Sequence, residues 1–303
     1  MLNKIIYTLL GIALAVAFFP HLARDSARTP VVAGNSTVSS IAADITAAPE
    51  MAVNRSVPDL TAKAALAYDL SSGAILYSNN LDEKLPIASL TKLMTALTVV
   101  SSVDLRSEVT VQKEDQTPIG STIGLVVGEK IKVSDLLKAM LIPSGNDAAL
   151  ALADFVAGSP EKFAAMMNQQ AANLNLANTH FSNPVGWDRY DKQENYSNSL
   201  DLIKIVQEFL KYDFLRKIVA TRVTSITSSD GKYSHELHST NKLLLDDPQV
   251  AGIKTGFTSK ALGNLIVLVN HSGHEIVTIV LGSDNRETDT QDLLDWVFAV
   301  YKW

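Results

Sequence analysis

The chain has 303 residues, 47% of them apolar and 19% charged, with a formal net charge of −6. That apolar share fills one large core or two small ones and excludes general disorder, and the acidic balance argues against nucleic-acid binding, which needs a basic excess or a basic face. The absence of cysteine excludes disulfides, thiolate nucleophiles, iron–sulfur clusters and zinc–thiolate sites together.

At the N-terminus, Lys4 and the chain amine precede an uncharged, mostly apolar run from Ile5 to Phe19, followed by Pro20 and Arg24. As a helix, those 15 residues reach about 22 Å, short of the roughly 30 Å hydrocarbon layer, and extension to Ala23 lets the segment span. Residues 1–23 therefore read as a signal peptide or an N-terminal membrane anchor. The anchor is favoured, because Ala15-Val16-Ala17 lies inside the run and Val31-Val32-Ala33 well beyond it. Residues 24–57 turn to Ala, Ser, Thr, Val and Asn without a sustained period, which predicts a flexible linker. A single folded domain is expected over 58–303.

That domain reads as strands at both ends with helices between them. Strands are expected at Ala64–Asp69 and Ala74–Ser78, flanking the turn signal Ser71-Ser72-Gly73. Helical periods follow at Ser89–Val100, Ser134–Leu141, Asp147–Val156, Ser159–Asn173 and Leu200–Leu210. Ser159 as N-cap with Pro160 behind it marks the clearest start. The basic run Lys204, Lys211, Arg216, Lys217 and Arg222 predicts the solvated face of an amphipathic helix. Apolar runs at Leu265–Asn270 and Ile276–Leu281 predict adjacent antiparallel strands, and a closing helix covers Thr288–Tyr301. The fold class is mixed α/β, an antiparallel sheet from both chain ends with a helical subdomain between.

Three short motifs carry possible chemistry. In Ser89-Leu90-Thr91-Lys92 at a helix start, positions i and i+3 share a face, so the Lys92 amine reaches the Ser89 hydroxyl. A serine hydroxyl needs such a base to attack, and a lysine serves once its pKa is depressed. Two further copies, Ser229–Lys232 and Ser239–Lys242, lie in a turn signal and in a polar stretch without helical period. Ser144-Gly145-Asn146 follows Pro143 between two helices, and by itself reads as a plain helix–helix connection with Ser144 or Asn146 as N-cap. Lys254-Thr255-Gly256 occurs once, in a short strand expected over Val250–Phe257. It combines a charge, a hydroxyl and strand-edge N–H groups, a set suited to an extended peptide ending in a carboxylate. The pairs His235/His238 and His271/His274 lack a carboxylate ligand frame, so no metal and no cofactor is implied.

Ser-x-x-Lys, Ser-x-Asn and Lys-Thr-Gly, in that order and in those contexts, resemble the signature set of penicillin-binding proteins and serine β-lactamases. The flanks Pro86–Ala96, Pro143–Ala149, Asn178–Gly186, Gly252–Thr258 and Asp292–Trp296 are similar to the low-molecular-mass penicillin-binding proteins of the serine D-alanyl-D-alanine carboxypeptidase type. The resemblance covers about residues 60–303 and implies the β-lactamase/penicillin-binding transpeptidase-like fold. It implies Ser89 as nucleophile, Lys92 as general base, Ser144 as proton carrier and Asn146 as partner of Lys92 and substrate. It further implies Lys254 and Thr255 as carboxylate-binding, with the strand at Gly256 and Phe257 holding substrate and the N–H groups of Ser89 and Phe257 forming the oxyanion hole. The implied partners are peptidoglycan stem peptides ending in D-Ala-D-Ala, β-lactam antibiotics, and the membrane through the N-terminal segment, with no nucleic acid. The implied location is exported, at the outer face of the cell membrane, in the periplasm or in the cell wall.

Two departures from the family pattern stand out. Ala261 is followed by Leu262 before Gly263, so the turn bordering the site is expected to differ, and the chain stops at Trp303, directly after the closing helix. A D,D-endopeptidase acting on cross-links would use the same residues. A class A β-lactamase would need a Glu-x-x-Leu-Asn string, and the nearest, Glu194–Asn198, lacks the leucine and sits in a polar loop with Trp187, Tyr190 and Tyr196. An inactive cell-wall binding module would have no use for all three motifs together.

Overall fold

The computed structural model describes residues 47–117, 120–187 and 194–303. The apolar run Ile5–Phe19, the linker up to residue 46, and Tyr190 lie outside those residues. Five strands form the central sheet: β1 (Ala64–Asp69), β2 (Ile75–Asn79), β3 (Val250–Thr258), β4 (Leu262–His271) and β5 (His274–Ser283). Their spatial order is β3-β4-β5-β1-β2, and every neighbouring pair is antiparallel. The register Ile279↔Leu66 ties the last strand to the first, so the two ends of the domain meet in mid-sheet.

Alternation along these strands sends successive side chains to opposite faces. Ala64, Leu66, Ile266, Leu268, Val277 and Ile279 point into the large core shared with the helices. Ala65, Ala67, Ile276 and Val280 point to the other side, where they meet Leu293 and Val297. Both faces are therefore covered, and strands buried on both sides read as continuous apolar runs, as β4 and β5 do. A Leu66→Ala truncation in such a layer typically costs about 2–5 kcal/mol.

Eight helices accompany the sheet among the described residues: α1 (Thr91–Val100), α2 (Val133–Leu141), α3 (Asn146–Ala157), α4 (Pro160–Asn173), α5 (Ser199–Leu210), α6 (Asp213–Val219), α7 (Lys242–Asp246) and α8 (Arg286–Val300). α8 lays Leu293, Leu294, Val297 and Val300 on the sheet, the i, i+1, i+4, i+7 pattern of one helix face. Ser159 caps α4 as expected, its side chain accepting from the Lys162 N–H, with Pro160 at the first helical position.

Several expectations are corrected by the structure. Pairing begins before residue 58: Glu50–Met51, inside the span read as linker, pairs with Tyr301–Lys302. The same pairing ends the closing helix at Val300, because Tyr301 and Lys302 are extended. Ser89 sits in a single 3₁₀ turn, Ala88–Leu90, and the α-helix proper begins at Thr91. The basic run is split between two helices, with Lys204 in α5, Arg216 and Lys217 in α6 and Lys211 between them, and Arg222 beyond them donates to the Leu244 carbonyl. The Glu194–Asn198 stretch is not wholly loop, since Tyr196–Ser197 pairs with Leu85–Pro86. The Ser239–Lys242 stretch contains a helix start, with Asn241 capping α7. The hairpin Val223–Thr227/Ser234–His238, turning through Asp230-Gly231, had only its turn foreseen.

Candidate active site

Three walls converge on one cleft of about 670 Å³. The first is the 3₁₀ turn at the start of α1, which presents Ser89. The second is the turn between α2 and α3, which presents Ser144 and Asn146. The third is edge strand β3, which presents Thr255, Gly256 and Phe257.

Local backbone explains how these side chains are aimed. Ala88 (φ +47°) and Ser144 (φ +66°) both occupy the left-handed region, uncommon for residues with a side chain and typical of functional turns. The approach of β3 to the Ser89 turn demands Gly256, where a Cβ would stand 3.0 Å from the Ile87 carbonyl oxygen and 3.2 Å from the Ser89 nitrogen. Across the cleft, a Cβ on Gly186 would run into the Ala88 carbonyl. Asp147, directly after Asn146, is buried and accepts N–H bonds from Ile123, Gly124 and Leu125. That carboxylate pins a loop whose Ser121 hydroxyl donates to the Pro143 carbonyl and whose Ser121 carbonyl accepts from the Asn146 N–H. The Ser144 turn is thereby held from outside.

Lys92 is fully buried, one turn after Ser89. Its Nζ lies 2.9 Å from Ser89 Oγ, 2.7 Å from Asn146 Oδ1 and 2.7 Å from the Val185 carbonyl oxygen. Burial first, and the Lys254 charge second, hold its ammonium well below the ordinary lysine value, with Asp147 opposing. A neutral amine has two N–H groups and one lone pair. Two of the three neighbours, an amide oxygen and a backbone carbonyl, only accept, so the lone pair falls to the Ser89 hydroxyl. This arrangement can take the serine proton.

Lys254 is buried on the opposite wall, with Nζ donating to Ser144 Oγ at 2.9 Å and to the Thr255 carbonyl at 2.9 Å. Burial, followed by the Arg286 charge, lowers it to about 7. Because Ser144 accepts from Lys254, its own O–H is left for the cleft. Thr255 is buried and Phe257 is 66% exposed at the cleft mouth.

Comparison with known proteins places the chain. The family model for D-alanyl-D-alanine carboxypeptidase matches residues 51–285. D-alanyl-D-alanine carboxypeptidase DacF of Bacillus subtilis is 32% identical over 80% of this chain and 63% of its own length. A D-alanyl-D-alanine carboxypeptidase of Streptomyces sp. K15 is 32% identical over 84% of this chain and 92% of its own. The crystal structure of the Streptomyces K15 DD-transpeptidase superposes with a TM-score of 0.75 at 31% identity, covering 81% of this chain and all of that one.

The chain belongs to the D-alanyl-D-alanine carboxypeptidase family.

It spans 63% of the length of DacF and of the Escherichia coli relative DacC. The expected fold, that of the penicillin-binding peptidases, is the observed one. All eight residues singled out in the sequence lie in this cleft or in its walls: Ser89, Ser144, Asn146, Thr255, Gly256 and Phe257 line it, and Lys92 and Lys254 stand buried behind them.

Other members of the site were missed. Arg286, at the start of α8, lines the cleft, donates to the Gly256 carbonyl at 2.8 Å and depresses Lys254. Val185 contributes a backbone oxygen, for which side-chain type gives no signal. Asn195 is buried and clamps the loop carrying Val185: its Oδ1 accepts from Ser182 and Asn183 N–H groups, and its Nδ2 donates to Thr91 Oγ1 and the Asn183 carbonyl. In the string weighed as a deacylation motif, then, Asn195 is a clamp, while Glu194 pairs with Lys260 at the cleft mouth. The turn with the Ala261-Leu262-Gly263 departure adjoins the cleft through Ser259 and Lys260, and Leu262 enters β4 at φ +57°. The histidines go elsewhere: His235 Nε2 meets buried Glu129 at 2.8 Å, His274 Nδ1 meets buried Asp69 at 2.8 Å, and His271 stacks on Phe298.

Among the described residues no helix is long and apolar enough to cross a membrane.

Proposed function

We propose that the chain is a serine-type D-Ala-D-Ala carboxypeptidase acting on peptidoglycan stem peptides and acylated by β-lactams. The reading is carried by one observation: buried Lys92 Nζ, 2.9 Å from Ser89 Oγ, has its other two neighbours restricted to accepting. Ser89 Oγ attacks the carbonyl carbon of the penultimate D-alanine, and its proton moves to Lys92 Nζ. The oxygen of that carbonyl becomes anionic between the N–H groups of Ser89 and Phe257. The C–N bond to the terminal D-alanine then breaks as Ser144 gives its proton to the leaving nitrogen and takes up the one held on Lys92, which leaves that amine neutral again. Water, deprotonated by the same base, hydrolyses the ester and returns Ser89. Thr255 and the charges of Lys254 and Arg286 receive the terminal carboxylate, and Asn146 holds both Lys92 and the substrate backbone.

The family and this chemistry support an exported, wall-facing location, with the 1–23 segment as leader or anchor to the membrane. The Streptomyces relative called a DD-transpeptidase favours a second reading. Acylation is common to both, and an amine then replaces water as acceptor. A D,D-endopeptidase also shares the acylation step and differs only in the group that leaves.

The test is to incubate the full-length protein with benzylpenicillin and follow its intact mass. A lasting adduct on Ser89, absent in Ser89→Ala, is expected. An adduct that forms and vanishes while penicillin is consumed would replace the reading with a β-lactamase. No adduct on folded protein would leave a binding module.

A further inference from the structure

Thr240 belongs to the Ser239–Lys242 stretch that carried no role in the sequence. It precedes α7, and its backbone N–H donates to the carbonyl of Ile142, two residues before Ser144, so it is anchored to the turn that presents Ser144. Its side chain reaches the cleft, where Thr240 Oγ1 lies 2.6 Å from Thr255 Oγ1. Among the described residues these two hydroxyls have no other side-chain hydrogen-bond partner.

Two hydroxyls hold two protons, and only one fits between the oxygens. Either hydroxyl can donate, and the two choices differ in what the cleft is offered. If Thr255 donates to Thr240, the proton of Thr255 is spent inside the protein. If Thr240 donates to Thr255, the proton of Thr255 faces the cleft, and the bond it receives makes it a stronger donor. An anion, which only accepts, draws the second arrangement, and a charge-assisted bond gains about twice as much as a neutral one.

We propose that Thr240 is a positioning residue that orients the Thr255 hydroxyl and so makes the site selective for ligands with a free carboxylate. This deepens the carboxypeptidase reading and rests on its assignment of Thr255 to the terminal carboxylate. Thr240 acts through Thr255, so removing its hydroxyl weakens binding of the anion and leaves the chemistry at Ser89 and Lys92 in place.

The experiment compares Ser89 acylation by benzylpenicillin and by its methyl ester, in full-length wild type, Thr240→Val and Thr240→Ser. Loss of one neutral hydrogen bond predicts that Thr240→Val slows benzylpenicillin about five- to tenfold. The same variant slows the methyl ester less than twofold, and Thr240→Ser returns both rates to within twofold of wild type. Thr240→Ala, measured in the same way, replaces a Val variant that does not fold. Equal losses on acid and ester would make Thr240 merely structural and overturn the proposal. So would a Thr240→Val rate on benzylpenicillin equal to wild type, or a Ser variant as slow as the Val variant. Wild type that forms no adduct with either ligand overturns the parent reading, and this one with it.

Discussion

The same four-residue pattern folds in two opposite ways within this chain. Ser89–Lys92 opens α1 against β3, and its lysine is buried with three oxygen neighbours. Ser229–Lys232 forms the tip of a hairpin, and its lysine is fully exposed, 5.0 Å over the Tyr233 ring. The ammonium responds in opposite directions. Burial drives Lys92 well below the ordinary value, whereas contact with Tyr233, and to a lesser degree Asp230, raises Lys232. A serine and a lysine three residues apart therefore encode nothing chemical by themselves. The base arises from the removal of water around Lys92, which no neighbour in sequence supplies.

If that contrast is right, the largest effect comes from removing the buried base. Lys92→Ala should slow acylation of Ser89 by about 10³-fold, the scale of a lost general base, as measured by the rate of the benzylpenicillin adduct. Lys254→Ala comes next, with acylation about a hundredfold slower through lost attraction for the carboxylate. It also tests coupling between the two buried lysines. The Lys254 charge lowers Lys92, so without it Lys92 binds its proton more tightly, and the rising limb of the pH–rate profile moves to higher pH. An unmoved limb would mean that burial alone sets the base.

A subtler change is expected from Arg286→Gln. In wild type the profile should fall as pH rises through about 7, where Lys254 loses its proton. Arg286 lowers Lys254, so its removal raises Lys254 and moves the falling limb to higher pH. The smallest effect is at the other copy of the motif. Lys232→Ala should leave the acylation rate unchanged, and any large loss there would break the contrast.

Much of the fold was legible. The strands at both chain ends were written in apolar runs, and the cap Ser159 acts through a side chain close in sequence. The eight residues that gather at the cleft were singled out because three motifs stood in an order and context that resembled a known family. What escaped was backbone chemistry and distant partners. The Val185 carbonyl is the acceptor that completes the Lys92 environment, yet any residue type supplies a carbonyl. Arg286 follows an asparagine cap and reads as an ordinary first-turn residue of α8 until β3 is folded beside it. Thr240 sits in a polar stretch without helical period, and only the fold brings its hydroxyl to Thr255.

By itself, the sequence determined most of the elements and the identity of the groups able to do chemistry, because periodicity and capping act over a few residues. Only the tertiary structure decided which serine–lysine pair is dry, which loop carbonyl fills the second acceptor place, and which threonine backs Thr255. Those properties depend on desolvation and on contacts between segments such as Lys92 and Val185, 93 residues apart, or Lys254 and Ser144, 110 apart. Such distances in sequence close only when helices, loops and sheet pack together.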